Sequence, residues 1–169
     1  TNDLDVVRNT NLPVFYSPYI PSNIVSRNHI YSDRLSIYFK GTANECNATL
    51  GIIANISNDI NKITPFIVYL ITDNLFGYDP RKVDYPHILY ERGKCDERVI
   101  ADMSDIAICL NDNYISAVNV MGMGIPCITL PTVNMLSNYR SNIDVVYASS
   151  NNDVINGIQQ LLSPQYRNY

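Results

Sequence analysis

Tryptophan is absent from this chain, histidine occurs twice, and no apolar run approaches the ~20 residues that a membrane-spanning helix needs. The opening residues, from Thr1, carry no signal-peptide pattern, and a start without Met reads as a processed chain or an excised domain. No block of Lys or Arg is present. With a net charge of -4, that argues against nucleic acid as a partner, because phosphate backbones are held by clustered cations. Cys-x-x-Cys pairs are also missing. The four cysteines, Cys46, Cys95, Cys109 and Cys127, each lie inside an apolar or helical run, and only His29 and His87 could join them. Structural zinc needs closely spaced ligand pairs, so no metal is expected. Buried free thiols are the expectation instead, which implies a reducing compartment and a cytoplasmic location. Finally, neither Gly-x-x-x-x-Gly-Lys-Ser/Thr nor Gly-x-Gly-x-x-Gly follows the first strand-like segment. That disfavours Walker-type nucleotide hydrolysis and standard NAD binding, and no cofactor is expected.

What is present is the composition of a globular domain: 169 residues, 46% hydrophobic and 17% charged. A chain of this length buries roughly 70% of the surface its unfolded form exposes. Asn and Tyr are abundant, which reads as a bias of gene composition rather than function. Two glycosylation sequons, Asn47-Ala48-Thr49 and Asn55-Ile56-Ser57, fall inside an expected helix and read as chance matches in an Asn-rich chain.

Residues 1 to 34 are polar and punctuated by Pro13, Pro18 and Pro21, an extended connector with a short edge strand at "PVFY". From residue 35 the pattern becomes regular, and 35 to 169 reads as one domain. "LSIYF" is β-prone and ends at Lys40-Gly41. Thr42 and Glu45 then have capping-box spacing, and Cys46, Leu50, Ile53, Ile56 and Ile60 recur at helical intervals. "FIVYLIT" (66 to 72) is an unbroken apolar run, as in a strand buried on both faces. After a loop with Gly77 and Pro80, the segments run strand "HILYE", turn Arg92-Gly93, helix 96 to 104, strand "IAICL", helix 114 to 123, strand "CITLP", helix 134 to 141, strand "DVVYA", and a helix opening at Ser150 or Asn151. Strands and helices alternate six times. The spacing predicts an α/β fold: a Rossmann-like three-layer sandwich with a parallel sheet of about six strands.

In such a sheet ligands bind beyond the carboxyl ends of the strands, near the point where strand order reverses. Three strand-end loops qualify. Lys40-Gly41-Thr42 combines a charge, a sharp turn and a helix N-terminus, which suits phosphate. Asn111-Asp112-Asn113-Tyr114-Ile115-Ser116 again feeds a strand into a helix, with many hydrogen-bonding side chains, though Asn and Asp are also ordinary turn and cap residues. In "NVMGMGIPCITLP", Gly122 and Gly124 permit close approach, Gly124 reads as a left-handed helix terminator, and Pro126 stops the helix from continuing.

The segment "ADMSDIAICLNDNYISAVNVMGMGIPCITLP" resembles the donor-binding segment of GT-B-fold glycosyltransferases, whose pattern ends in Glu-Ala-Met-Ala-x-Gly-x-Pro-Val and a strand. "NVMGMGIPCI" lies over that ending, and "DVVYASSNNDVINGIQQLLS" resembles the family's closing strand and helix. The likeness spans residues 35 to 163. It implies the C-terminal, nucleotide-sugar-binding half of such an enzyme, with an acceptor-binding domain in the same or another chain as partner and no metal. It implies that Lys40, Gly41, Thr42, Tyr114, Ile115 and Ser116 hold the donor pyrophosphate and that the turn at Arg92-Gly93 brackets the base. Asn119 takes the position of the family's ribose-binding Glu, and Asn111 that of the Glu contacting the donor sugar. Both carboxylates are thus amides, which can bond a hydroxyl but lack charge-assisted strength. Two other readings stand beside it. A non-catalytic binding or assembly domain is favoured by the two amides, and a nucleotide-sugar epimerase would need acid/base groups, for which only His87 and Asp112 offer themselves. Asp3-Leu4-Asp5 has the Asp-x-Asp form of another glycosyltransferase fold but sits in the tail, not after a strand.

Overall fold

The computed structural model describes residues 28–30, 32–75, 84–111, 114–141 and 145–163. The expected connector with its "PVFY" strand, the loop at Gly77 and Pro80, Asp3-Leu4-Asp5 and the pair Asp112-Asn113 lie wholly or largely outside them.

The first strand, β1 (Leu35–Gly41), has its first five residues buried. It leads into α1 (Ala43–Ile63), whose start is set by a complete capping box: Thr42 Oγ1 accepts from the Glu45 amide and the Glu45 carboxylate accepts from the Thr42 amide. Then follow β2 (Phe66–Thr72), β3 (His87–Glu91), α2 (Glu97–Asp102), β4 (Ile106–Cys109), α3 (Tyr114–Gly122), β5 (Cys127–Thr129), α4 (Val133–Asn138), β6 (Val146–Tyr147) and α5 (Asn151–Leu161). Side-chain caps open three of the later helices: Asp96 for α2, Thr132 for α4 and Ser150 for α5. Each satisfies amides that the first helical turn leaves unpaired.

The six strands form one sheet in the order β3-β2-β1-β4-β5-β6, and every neighbouring pair is parallel. This is the Rossmann-like α/β architecture that the alternation of segments predicts. The chain builds outward from β1 to β3, returns past β1, and builds outward again from β4 to β6. The reversal lies between β1 and β4, where Ile37 pairs with Ile106 and Tyr38 with Ala107.

Two apolar layers follow from the period-2 alternation of side chains. Leu35, Ile37 and Phe39 of β1 join Phe66, Val68, Leu70, Ile106 and Ile108 beneath Leu50, Ile53 and Ile56 of α1 and Val154 and Ile158 of α5. On the opposite face Tyr38, Tyr69, Ile71, Ala107, Cys109 and Cys127 pack with residues of α2, α3 and α4, among them Ile100, Ala101, Val118 and Met135. Several elements are shorter than their apolar patterns: α2 ends at Asp102, β4 at Cys109, and β6 has two residues. Ser104 explains the first, since its hydroxyl bonds back to the Ile100 carbonyl and its amide bonds the Ala101 carbonyl in a tightened last turn.

Helix α3 ends as its glycines imply. The Gly124 amide bonds the Met121 carbonyl, the Ile125 amide bonds the Val120 carbonyl, and Gly124 has φ of 77°. A β-branched side chain is strained at that angle by about 1–3 kcal/mol. Gly124→Val is therefore expected to lower the melting temperature by roughly 3–10 °C, read by a thermal melt followed by circular dichroism. Unchanged melting would refute the helix-stop assignment.

All four cysteines are free, with Cys46, Cys109 and Cys127 buried and Cys95 half-buried. Burial pushes the Cys46 thiol up to about 11, and its Sγ points at the carbonyls of Gly41 and Ile71. Cys127 is held well above the ordinary thiol range by its hydrogen bond with Cys109 and then by burial. At pH 8 Cys46 is therefore held overwhelmingly as the thiol, whereas the thiolate is the reactive form. A disulfide reagent such as dithionitrobenzoate should therefore modify Cys95 first and slowly in the native protein, and all four after urea unfolding. Rapid release of more than one equivalent from native protein would contradict this burial.

Candidate functional site at the strand-order reversal

The carboxyl ends of β1 and β4 lie side by side at the reversal, which brings Gly41 and Thr42 near Asn111 on the α1 side. Glu45, one turn into α1, ties the two sides together. Its Oε2 accepts from the Thr42 amide at 2.8 Å and from the Thr42 hydroxyl at 3.0 Å, while its Oε1 accepts from Asn111 Nδ2 at 3.3 Å. The amide orientation of Asn111 follows from this contact, because only its NH2 group can face a carboxylate. Asn111 Oδ1 is then a buried acceptor with no hydrogen-bond partner among the described residues.

Gly41 is shaped by the same carboxylate. A Cβ placed there would lie 2.8 Å from Glu45 Oε2 and 3.0 Å from the Phe39 ring. Glycine thus lets the capping carboxylate close over the end of β1. The anion position at the α1 N-terminus, expected from the sequence to suit phosphate, is occupied by the protein's own carboxylate. A ligand phosphate there must exchange with it.

Lys40 points the other way, to the α2 side of the sheet, where its Nζ is 2.7 Å from Glu97 Oε2. The two side chains are 31% and 28% exposed. Further out, Arg92 at the end of β3 bonds Asp73 at the end of β2 at 3.1 Å, and Gly93 completes the turn at φ 78°. Among the described residues three cations along this edge each meet a carboxylate: Lys40 with Glu97, Arg92 with Asp73, and Lys94 with Glu91.

The remaining residues singled out from the sequence distribute as follows. Tyr114, Ile115 and Ser116 form the first turn of α3 and are half-buried, with Tyr114 packed against the second apolar layer. Asn119 lies on the exposed side of α3, in its second turn. His87 opens β3, and its Nδ1 lies 3.0 Å from the Tyr85 carbonyl. That is the amino edge of the sheet, opposite the reversal loops, so an imidazole acid/base at the crevice is not supplied by His87. Among the described residues no three His, Cys, Asp or Glu side chains gather as a metal-binding group, and no helix is long and apolar enough to cross a membrane.

Tyr38 is a site feature that the sequence pattern concealed. It sits inside an apolar strand run and reads as core, yet its hydroxyl is buried beside the polar edge, with no hydrogen-bond partner among the described residues. The signal available in the sequence was its spacing: Tyr38 and Lys40 are two apart on one strand and share a face.

The Glu45 bridge has a measurable consequence. Glu45→Ala removes half of the capping box and leaves both ends of the Asn111 amide without a partner among the described residues, which should cost about 1–2 kcal/mol. Glu45→Gln keeps an acceptor for the Thr42 amide, as capping boxes allow, and should cost less than half as much. Urea unfolding of the two variants checks the order, and equal losses would show that the bridge is not made.

No protein-family model matches this chain, and no curated protein is similar enough to be matched to it, so the likeness that is shown is one of architecture: a Rossmann-like parallel α/β sheet.

Proposed function

We propose that this domain binds a nucleoside-diphosphate sugar at the β1/β4 reversal and serves as the donor-binding half of a GT-B-type glycosyltransferase, with the acceptor held by a separate domain. The observation that carries the reading is the strand order, which sets a lysine, a glycine and a helix start on one side of the crevice and Asn111 on the other. Ligands of open parallel sheets bind at this position. Lys40 supplies the charge for the diphosphate. Asn111 offers an unused buried acceptor, which suits a sugar or ribose hydroxyl. Where the resemblance calls for a carboxylate at position 111, the Asn111 amide is bonded to the carboxylate of Glu45, brought in from α1. In transfer, Lys40 and backbone amides would stabilise charge on the departing nucleotide, an electrostatic role that calls for no metal.

A non-catalytic binding module is the second reading, and the amides at Asn111 and Asn119 favour it, since fold alone does not supply catalysis. The two part on one measurement: donor binding without transfer, assayed with an acceptor-binding domain present, supports the module.

Titration calorimetry with UDP, GDP, ADP and CDP tests the binding itself. One of them should bind, Lys40→Ala should weaken it about tenfold or more while leaving the free nucleoside unchanged, and Asn119→Ala should cost about 1 kcal/mol. The absence of heat with all four at millimolar concentration would sink the proposal.

A further inference from the structure

Tyr38 lies in the central strand with none of its surface exposed. Its phenol is held well above the usual range, first by burial and then by the nearby negative charge of Glu97, with Cys109 and Cys95 adding to the shift and Arg92 opposing it. All of those neighbours stand at the carboxyl end of the sheet on the α2 side. The hydroxyl is thus a neutral O–H donor on the face of β1 that carries the ion pair of Lys40 and Glu97, and among the described residues nothing accepts from it. Leaving such a buried group unpaired is destabilising, and native proteins keep few of them without a reason.

We propose that the Tyr38 hydroxyl and the Lys40 ammonium form one donor pair for a phosphate-class anion on the α2 side of β1, with Glu97 as the internal carboxylate that this anion replaces. The inference rests on the nucleotide reading above and names where its diphosphate binds. Two candidate anion positions flank Gly41. At the α1 N-terminus the Thr42 amide is satisfied by Glu45, so a phosphate gains there only what it takes from a carboxylate already in place. On the α2 side a buried donor is unused. The ligand must be an acceptor and anionic, because a phenol and an ammonium only donate to it. Phosphate oxygens fit both, and charge-assisted bonds are the stronger kind. The Lys40–Glu97 pair is partly exposed, a setting in which ion pairs contribute little and exchange partners readily.

The test uses the 169-residue chain and its Tyr38→Phe variant, titrated with inorganic pyrophosphate and with the four nucleoside diphosphates, together with ligand-free melts. Tyr38→Phe should melt at or above the parent temperature, because it removes an unpaired buried hydroxyl, and should bind pyrophosphate about tenfold more weakly. Equal pyrophosphate affinity in the two chains would overturn the proposal, as would a parent that binds no pyrophosphate. A variant that melts well below the parent would also overturn it, since the hydroxyl must then be bonded in the free protein. The two levels fail separately. Tyr38-dependent binding of pyrophosphate with no added affinity for any nucleoside diphosphate would sink the nucleotide reading and leave the anion position standing. Nucleotide binding indifferent to Tyr38→Phe would do the reverse.

Discussion

The polar groups described at the carboxyl end of the central strand follow from the fact that β1 is paired on both edges and covered on both faces. Its ladder to β2 runs the full length of the strand, from Leu35 with Phe66 to Gly41 with Thr72, and β4 closes the other side. A strand so enclosed exposes polar groups only at its ends, and a polar group along its length, such as the Tyr38 hydroxyl, loses water with no substitute among the described residues. The carboxyl end is where Lys40 and Gly41 emerge to partial exposure. The capping carboxylate of Glu45, the tight fit over Gly41 and the Lys40–Glu97 pair are all answers to that one enclosure.

The electrostatics of the edge follow from the same geometry. The cations at the ends of β1 and β3 each face a carboxylate from a neighbouring element, so these two charges are locally balanced. Ion pairs in this partly wet setting are typically worth 0–1 kcal/mol. They hold side chains in place without making displacement expensive, which is the property required of groups that exchange a protein partner for a ligand. The Glu45 bridge differs, since it satisfies a helix start as well as the Asn111 amide.

The fold was legible in the sequence because its signals were local. Unbroken apolar runs marked β1 and β2, Thr42 and Glu45 marked the start of α1, and Gly124 marked the end of α3. Lengths were less legible: the apolar pattern at Ile106 to Leu110 does not reveal that the ladder to β5 stops at Cys109. At the site, the position of Lys40 and Asn111 followed from the strand-end rule. The bond between Glu45 and Asn111 did not, because it joins residues 66 apart in sequence and no local pattern encodes it. Tyr38 was hidden for a different reason: in a strand run an aromatic residue signals core, and only the surrounding fold reveals whether its hydroxyl meets a partner. His87 could have been placed from sequence alone, as it begins its strand and so lies at the amino edge.

The strand order also bears on how the domain comes together. Every ladder but one joins strands adjacent in sequence; the exception pairs Ile37 with Ile106 and Tyr38 with Ala107. The β1–β3 and β4–β6 portions are therefore contiguous halves, and the seam between them closes a longer loop than any other ladder of the sheet, which makes it the slowest of the strand pairings to reach. That seam and the proposed ligand crevice are the same place. Glu45, reaching from the first half to Asn111 of the second, makes the helix cap of one half double as the stitch that joins it to the other.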